Sequence, residues 1–521
     1  GELATLKFTM KNKPNTILRN NSPVLGNGTF INNFIFPSLG YSADAEISDT
    51  QLREKYNLPP KERMADQDDM EARQNTYIRD DSDWITFETT VSTSEDQVAI
   101  APGYLQKEWT KNGRRYFHYS MEDQKILNFY AFNSGDYEIK RDKWKDIDIE
   151  VYYNENHPYN VDRMIRSLKK SFDYYTAEFS PYQFRQARII EFPKTQGRFA
   201  QSFANTFPFS ESIGFIADVD DEDEDAVDYP FSVASHELAH QWWAHQVIGA
   251  KVRGATMLSE SLAEYSSLKV LEHEYGKGQM RKFLKEALDS YLSGRSSESK
   301  KELPLMYNEN QQYIHYNKGS LVFYTLSDYM GEKELNKVLS KYIDKVAFQE
   351  PPYTTAGELV RDIKVAVPDS LQYMVEDMFE TITLYNNYLE TAEARELNNG
   401  KYEVNLKAIV SKYKSGEKGN RIYADARGDS LVYLNKREKE IKSLPLKDYV
   451  EIGIFAPIKD HKPGEATEKT LYLKKVKITD IENDFKIIVD EKPSEAGVDP
   501  YNKLIDTKSY DNRKKISVDE N

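Results

Sequence analysis

The chain has 521 residues, with 70 Lys and Arg against 85 Asp and Glu, and it contains no cysteine. At about 150 residues per domain, this length predicts three or four domains. The formal net charge of −15 would repel phosphate backbones, which argues against nucleic acid as a partner. Because disulfides and thiolate chemistry are excluded, any metal must bind to histidine and carboxylate side chains.

Short strand-like runs dominate the first part of the chain. β-branched and aromatic residues cluster in four places separated by polar turns, at 84–91, 98–101, 116–119 and 147–151. Residues 1–156 are therefore predicted to form an N-terminal β domain. A charged insert at 44–77 interrupts this pattern. Its residues 52–55 and 64–71 are helix-compatible, and we expect the insert to lie on the surface.

The hydrophobic period changes at Asn160 and stays helical to about residue 386. Apolar residues at 161, 165, 168, 172 and 175 follow helical spacing, and further helical patterns include 231–247, 258–275 and 318–330. Residues 157–386 are therefore predicted to be an α-rich domain. Alternation returns afterwards and predicts a C-terminal β-sandwich over 387–490, followed by a polar tail at 491–521.

Two of the eight histidines lie in the sequence HELAH at 236–240. At about 3.6 residues per turn, His236 and His240 project about 40° apart on one helix face, where both imidazoles can reach one tetrahedral zinc. Glu237 then lies beside the metal, positioned to act on metal-activated water. His245 is on the opposite side of this helix and is interpreted as a packed or exposed histidine.

A catalytic zinc needs a third protein ligand and an open position. The next predicted helix offers Glu260 and Glu264, one turn apart. One could bind the metal while the other supports it or stays solvated. An acidic run at 218–228, just before the HELAH helix, is interpreted as a solvated linker in preference to a calcium site.

These residues resemble a known family. The sequences HELAHQWW (236–243) and SESLAEY (259–265) are similar to the zinc helix pair of the aminopeptidase N family of gluzincin metallopeptidases. The resemblance implies one zinc per chain, bound by His236, His240 and Glu260. This chain has one residue more than the family's usual spacing, which we place in the loop near 249–254.

Two further matches extend the resemblance. Tyr316 lies in YNKGS (316–320), similar to the family's Tyr-Glu-Lys-Gly-Ala segment, which implies that its hydroxyl stabilises the oxyanion. Residues 208–216, PFSESIGFI, fall where the family has Gly-Ala-Met-Glu-Asn-Trp-Gly-Leu-Ile. The resemblance implies that Glu211 binds the free α-amine of a substrate. Gly214 stands at the second glycine of the family's segment, which binds substrate. The neighbouring residues differ, which leaves the shape of the subsites open.

The implied architecture is a multidomain α+β fold with an N-terminal β-saddle, a thermolysin-like catalytic domain and a C-terminal β-sandwich. Three short sequences are similar to the extracytoplasmic peptidase portion of bacterial ABC-permease fusions. They are the tryptophan pair at 242–243, the SES variant at 259–261 and DEKP at 490–493. No apolar run approaches the ~18 residues that cross a bilayer, and no signal-peptide pattern is present. We therefore expect a soluble, excised piece, tethered to permease segments in the full-length protein.

Three functions are consistent with these patterns. The leading hypothesis is a zinc aminopeptidase that removes N-terminal residues from oligopeptides, with Glu237 as general base. The second is a zinc endopeptidase or other hydrolase without a strict requirement for a free N-terminus. The third is a peptide-binding, non-catalytic portion of a membrane transporter.

Overall fold

The first of three regions consists of two antiparallel sheets. The structure is a computed structural model that describes residues 4–11, 24–25, 28–37, 41, 45–61, 63–221, 223, 226–424, 430–433, 442–458 and 467–519. One sheet has the order β1-β2-β7-β4 and the other β3-β6-β5. The strands are β1 Val24–Leu25, β2 Gly28–Asn32, β3 Trp84–Ser94, β4 Val98–Ile100, β5 Tyr104–Lys111, β6 Arg114–Leu127 and β7 Ala131–Gly135, with one helix, α1 Thr50–Lys55.

The central region places helices against a four-stranded mixed sheet of order β11-β10-β9-β8. Its strands are β8 Glu138–Trp144, β9 Ile147–Tyr153, β10 Gln186–Phe192 and β11 Thr206–Ser210. Its α-helices are α2 Val161–Glu178, α3 Tyr229–Ala239, α4 Leu262–Tyr275, α5 Met280–Ser296, α6 Gly319–Met330, α7 Glu332–Val346, α8 Ala356–Ala366 and α9 Gln372–Val375. Three π-helical turns interrupt them, π1 Met257–Ser261, π2 Tyr313–Lys318 and π3 Glu376–Glu380.

The C-terminal region holds three four-stranded sheets, of order β12-β15-β16-β17, β20-β14-β13-β23 and β19-β18-β21-β22. The strands are β12 Thr383–Tyr385, β13 Tyr388–Glu396, β14 Tyr402–Ile409, β15 Lys412–Ser415, β16 Arg421–Ala424, β17 Ser430–Tyr433, β18 Asp448–Pro457, β19 Glu468–Ile478, β20 Glu482–Val489, β21 Glu495–Val498, β22 Arg513–Lys515 and β23 Ser517–Asp519. One continuous hydrophobic core joins these sheets to the central helices.

The amphipathic helix α2 shows how the central core forms. Its apolar residues Ile165, Leu168 and Phe172 recur at helical spacing and are all buried. They belong to the same cluster as Ile189 of β10 and Leu238 of α3. The helix that carries the HELAH sequence is thus packed between α2 and the rest of the core.

The predicted α+β class is confirmed, with β sheets at both ends and helices between them. The predicted polar tail at 491–521 is wrong for its described residues, because three strands lie there and Leu504 and Ile505 are buried. The Lys503 side chain joins Asp328 of α6 to Glu451 of β18. A polar segment can be fully ordered when partners far away in the sequence satisfy its charges.

Two other expectations change. The strands β8 and β9 join β10 of the central sheet, so the chain enters that sheet before residue 156. Among the described residues of the insert at 44–77, α1 covers 52–55, whereas residues 64–71 form a bend, a bridge and turns, followed by a short 3-10 helix at Ala72–Gln74. The later part of the insert packs on the central region, where Ala65 pairs with Val252 and Thr76 with Ala250. Within the described residues, no helix is both long and apolar enough to cross a membrane.

Candidate metal centre and active site

Three side chains converge on one point between α3 and π1. His236 Nε2 lies 3.0 Å from His240 Nε2 and 3.4 Å from Glu260 Oε2. His240 Nε2 lies 3.2 Å from the same carboxylate oxygen. Ligand atoms about 2.1 Å from a tetrahedral zinc are about 3.4 Å apart, so the three positions match one shared ion.

The donor set fits zinc for a second reason. Glu260 Oε2 is a buried atom with no hydrogen-bond partner, and it faces the two imidazole nitrogens. A buried carboxylate oxygen without a donor is costly unless a cation reaches it. Two nitrogens and one carboxylate oxygen are the ligand types that zinc takes in catalytic sites.

The start of α3 is held by a capped N-terminus. Asp228 Oδ1 accepts a hydrogen bond from the Phe231 backbone N–H at 3.0 Å, and Pro230 lies in the first turn, where its missing N–H costs nothing. Asp228 also binds Arg163 and accepts a hydrogen bond from Tyr275 at 2.6 Å. This anchoring fixes the start of the helix about two turns before His236.

The predicted helix over 231–247 is too long. The α-helix ends at Ala239, and His240 is its C-cap. Two tryptophans then turn to different partners, with Trp242 Nε1 donating to Ser180 O and Trp243 Nε1 to Ser266 Oγ, both at 2.9 Å. These tertiary contacts outweigh the helical propensity of the segment.

The outer ring nitrogens of both histidines also face acceptors. His240 Nδ1 lies 3.0 Å from the Trp243 carbonyl oxygen, and His236 Nδ1 lies 3.1 Å from Glu264 Oε1. Such partners fix the orientation of ligand imidazoles. Of the two carboxylates that the sequence left open, Glu260 faces both Nε2 atoms, and Glu264 lies within ion-pair distance of His236 Nδ1.

Glu237 is buried beside this centre, and among the described residues its carboxylate has no hydrogen bond or ion pair. Burial raises the pKa of Glu237, although the neighbouring histidines oppose this effect. A carboxylate without a partner of its own is available to exchange protons with a bound reactant. The structure thus places the sequence-predicted base next to the three candidate ligands.

Tyr316 faces the same centre from the π2 turn. Its ring lies 5.9 Å from the His236 ring, centroid to centroid. Burial and then the charge of Glu260 raise the pKa of the Tyr316 hydroxyl well above its usual value. This hydroxyl therefore stays protonated and can donate a hydrogen bond.

The turns that carry Glu260 and Tyr316 pack directly against each other. Ser261 Oγ in π1 donates a hydrogen bond to the His315 carbonyl oxygen in π2 at 2.6 Å. A Cβ added at Gly319 would lie 2.1 Å from Ser261 Oγ, so only glycine permits this approach. π-helical turns are rare and recur at functional sites, and here two of them present two candidate site residues to one point.

Glu211 lies just after β11 and belongs to a second cluster. Ligand atoms of His157, Glu191 and Glu211 lie within 4.8 Å of one another. His157 contacts Glu191, and the Asn154 backbone N–H donates to Glu191 Oε2 at 2.6 Å. Burial raises the pKa of Glu191, and the nearby charge of Glu211 adds to this effect. Two neighbouring carboxylates favour a positively charged group beside them.

Gly214 is explained by packing. A Cβ at this position would lie 2.5 Å from the Phe209 ring and 2.6 Å from the Met164 methyl group. Its carbonyl oxygen accepts a hydrogen bond from Asn160 Nδ2 at 2.7 Å. The glycine therefore lets the segment after Glu211 close onto the core, and its contact with substrate stays a prediction.

Sequence reasoning placed His245 correctly away from the ligands and missed two residues of the second cluster. His245 is buried, with Nε2 3.2 Å from the Ser202 carbonyl oxygen, as expected for a packed histidine. The missed residues are His157 and Glu191, which lie beside Glu211. No motif surrounds them, so no signal in the sequence could have singled them out.

Comparison with known proteins points in the same direction as this geometry. Residues 159–380 match the family description "Peptidase family M1 domain". The match covers somewhat less than half of the chain, all of it in the central region. The matched span contains His236, His240 and Glu260, together with Glu237, Glu211 and Tyr316.

Similar proteins are known by name. Endoplasmic reticulum aminopeptidase 2 of Homo sapiens is 27% identical over 123 residues, 22% of this chain and 13% of that protein. Probable aminopeptidase 1 of Sulfurisphaera tokodaii is 27% identical over 195 residues, 35% of this chain and 24% of that protein. The chain therefore matches less than a quarter of the length of either relative.

A solved structure shows the same fold over most of the chain. The crystal structure of Legionella pneumophila aminopeptidase A in complex with aspartic acid has a TM-score of 0.52 and 13% sequence identity. The match covers 84% of this chain and 45% of that one. At this identity the likeness concerns the fold alone, including the β regions on both sides of the M1 domain.

Proposed function

We propose that this protein is a zinc-dependent aminopeptidase that removes N-terminal residues from oligopeptides. The observation that carries the proposal is the convergence of His236, His240 and Glu260 at 3.0 to 3.4 Å next to an unpaired Glu237. When bound to these three residues, zinc would act as a Lewis acid that polarises the scissile carbonyl and acidifies a water molecule. The other steps fall to side chains of the chain itself.

Glu237 is the proposed general base and acid. Its carboxylate accepts a proton from the attacking water and then passes that proton to the nitrogen of the leaving amine. Burial suits this exchange, because it moves the pKa of Glu237 upward from its usual value. Tyr316 donates a hydrogen bond to the carbonyl oxygen as negative charge develops there, a contact worth roughly 3–4 kcal/mol in other enzymes.

Glu211 is the proposed binding residue for the α-ammonium group of the substrate. Among the described residues its carboxylate forms no hydrogen bond or ion pair, and Glu191 adds a second negative charge within 4.8 Å. Two carboxylates in a partly desolvated place favour a positive group strongly. This supports a preference for a free N-terminus.

The test combines metal analysis with matched substrates. We expect one zinc per chain, cleavage of an aminoacyl anilide and no cleavage of its N-acetylated form. Glu237→Gln should retain zinc and lose about 10²- to 10⁴-fold in kcat. Glu334→Gln, an exposed change on α7, is the control and should match the wild type.

The other outcomes decide between the alternatives. Equal cleavage of free and N-acetylated substrate would indicate an endopeptidase or another hydrolase and remove the role of Glu211. Peptide binding without zinc and without turnover would indicate a transporter's binding portion. The tether to membrane permease segments and the extracytoplasmic location are part of the same proposal, and they rest on the resemblance at 242–243, 259–261 and 490–493.

A further inference from the structure

Lys318, the last residue of π2, is a buried lysine without an ion pair. Four lysines are buried among the described residues, and the other three, Lys269, Lys412 and Lys503, each bind carboxylates. The Lys318 side chain is 0% exposed, and its Nζ has no hydrogen-bond partner in the described part of the chain. A buried charge without such a partner is costly, so packing alone does not account for this ammonium group.

The ammonium group faces the helix α5 through an aromatic ring. Lys318 Nζ lies 5.8 Å from the centre of the Tyr291 ring, within the distance at which a cation is attracted to the face of a ring. Tyr291 donates a hydrogen bond to Glu302, which also accepts from Arg295 Nε at 3.0 Å. Glu302 therefore has two partners of its own, and its charge attracts Lys318 without a hydrogen bond between them.

The helix α5 and the π2 turn approach each other closely beside this lysine. A Cβ added at Gly294 of α5 would lie 2.2 Å from Tyr313 Cβ, so the two elements meet at a glycine. The Tyr291 and Tyr313 rings stack with their centroids 6.0 Å apart. One side of π2 is thus packed on α5, from Tyr313 at its start to Lys318 at its end.

Tyr316 lies on the other side of the same turn. Residues two positions apart in a helix project in nearly opposite directions, so a turn that points Lys318 toward α5 points Tyr316 toward the metal centre. The Tyr316 and His236 rings are 5.9 Å apart, while Ser261 Oγ of π1 donates to the His315 carbonyl oxygen of π2 at 2.6 Å. The π2 turn is therefore held between α5 and π1.

The charge on Lys318 reduces the stability of the fold. Burial lowers the pKa of Lys318 to about 8, the charge of Glu302 opposes this effect and the charge of Arg295 adds to it. Below this pH the lysine is charged in the folded protein, although the unfolded chain binds the same proton more tightly. A methionine would fill the same space without this cost. Stability therefore gives no reason for a cation at this position.

We propose that Lys318 is a positioning residue for Tyr316, and that its ammonium group draws π2 onto α5 and so fixes the tyrosine hydroxyl where the oxyanion develops. The inference rests on the proposed function, because it needs this hydroxyl as the hydrogen-bond donor. Attraction of the cation to the Tyr291 ring and to Glu302 is strong in a buried place, since little solvent screens it. Loss of the charge should let π2 move away from α5 while the metal ligands stay in place.

A double-mutant cycle tests whether Lys318 acts through Tyr316. Lys318→Met, Tyr316→Phe and the double variant are compared in the hydrolysis of an aminoacyl anilide, with zinc content and denaturant unfolding measured for each. Lys341→Met, at an exposed position of α7, is the control and should match the wild type. We expect Lys318→Met to lower kcat about 10-fold with KM and zinc content unchanged, because a displaced donor stabilises the oxyanion less. Its free energy of unfolding at pH 7 should equal or exceed that of the wild type.

The second arm of the cycle separates positioning from a general effect on the protein. In the Tyr316→Phe background, Lys318→Met should change kcat less than about 2-fold, because the hydroxyl on which it acts is gone. A wild-type kcat for Lys318→Met, or an equal fall in both backgrounds, would overturn this inference and leave the proposed function standing. A wild-type protein that binds no zinc or cleaves no aminoacyl anilide would overturn both.

Glu302→Gln provides a measurement that does not depend on how Lys318→Met folds. It removes the negative charge that favours the ammonium group and keeps an acceptor for the Tyr291 hydroxyl. The kcat of the wild type should fall as the pH rises past about 8, where Lys318 loses its proton. In Glu302→Gln this fall should begin at a lower pH. The same alkaline fall in both proteins would contradict a role for the Lys318 charge.

Discussion

At the scale of single residues, the chemistry depends on groups whose usual partners are absent. Glu260 Oε2 lies opposite two imidazole nitrogens and accepts no hydrogen bond. Among the described residues, Glu237 is buried without an ion pair. Tyr316 is the complement of these acids, because burial and then the charge of the same carboxylates raise the pKa of its hydroxyl and keep the proton in place. The hydroxyl is therefore available as a hydrogen-bond donor at neutral pH.

Tyr316→Phe tests this hydroxyl directly. We expect kcat to fall about 10²- to 10³-fold with little change in KM, since the hydrogen bond strengthens only as charge develops on the carbonyl oxygen. Zinc content should be unchanged. Tyr313→Phe is a matched control in the same π2 turn, because the Tyr313 hydroxyl donates to Glu298 at 3.0 Å. Equal kcat for the two variants would remove Tyr316 from the reaction.

At the scale of elements, two π-helical turns determine how the acid ligand and the tyrosine face each other. Each turn shifts its side chains relative to a regular α-helix. Ser261 of π1 contacts the His315 carbonyl of π2 and packs against Gly319, the first residue of α6. The helices α4 and α6 continue from these turns, so their packing and the site geometry are coupled. Small changes at the glycine are expected to affect both.

Gly319→Ala tests this coupling. The new methyl group would lie 2.1 Å from Ser261 Oγ and 2.5 Å from its Cβ, which forces π1 and π2 apart and should cost about 1–3 kcal/mol of unfolding free energy. We also expect a lower kcat, because Tyr316 and Glu260 move with the two turns. Gly278→Ala is the control, since no atom lies within 4 Å of the added Cβ. Denaturant unfolding and steady-state kinetics of both variants check the prediction.

At the scale of the whole molecule, the C-terminal segment fastens the β region to the catalytic domain. The Lys503 ammonium binds Asp328 at 2.8 Å and Glu451 at 3.0 Å, and Thr325 Oγ1 donates to the Lys503 carbonyl oxygen at 2.5 Å. Lys503 and both carboxylates are almost fully buried. Removal of the cation would leave buried negative charge with fewer partners.

Lys503→Met should therefore lower the free energy of unfolding by about 3–5 kcal/mol. Lys486→Met provides the contrast, because the Lys486 side chain is 63% exposed and its 2.8 Å pair with Glu403 lies at the surface. That change should cost less than about 1 kcal/mol. Chemical denaturation of the two variants decides the matter, and similar losses for both would show that the buried lysine does not join the domains.

The sequence by itself determined the local part of this protein. The spacing in HELAH places two histidines and a glutamate on one side of α3, because the helical period is a property of the backbone. The apolar period of α2 likewise predicted its buried face, and the change of period at Asn160 separated the β and α regions. The resemblance then named Glu260 and Tyr316, and the structure brings both to the histidines.

Only the tertiary structure decided what depends on contacts between distant residues. Glu260 and Glu264 have the same local context, and the direction of each carboxylate follows from how π1 packs against α3. Tyr77 bonds through its backbone to Gly249 from a segment that looks like a surface insert, and Lys503 anchors a segment that looks like a tail. The physical reason is that periodicity reports the neighbours within one element, whereas a buried charge depends on distant partners, as Lys503 does on Asp328, 175 residues earlier in the chain.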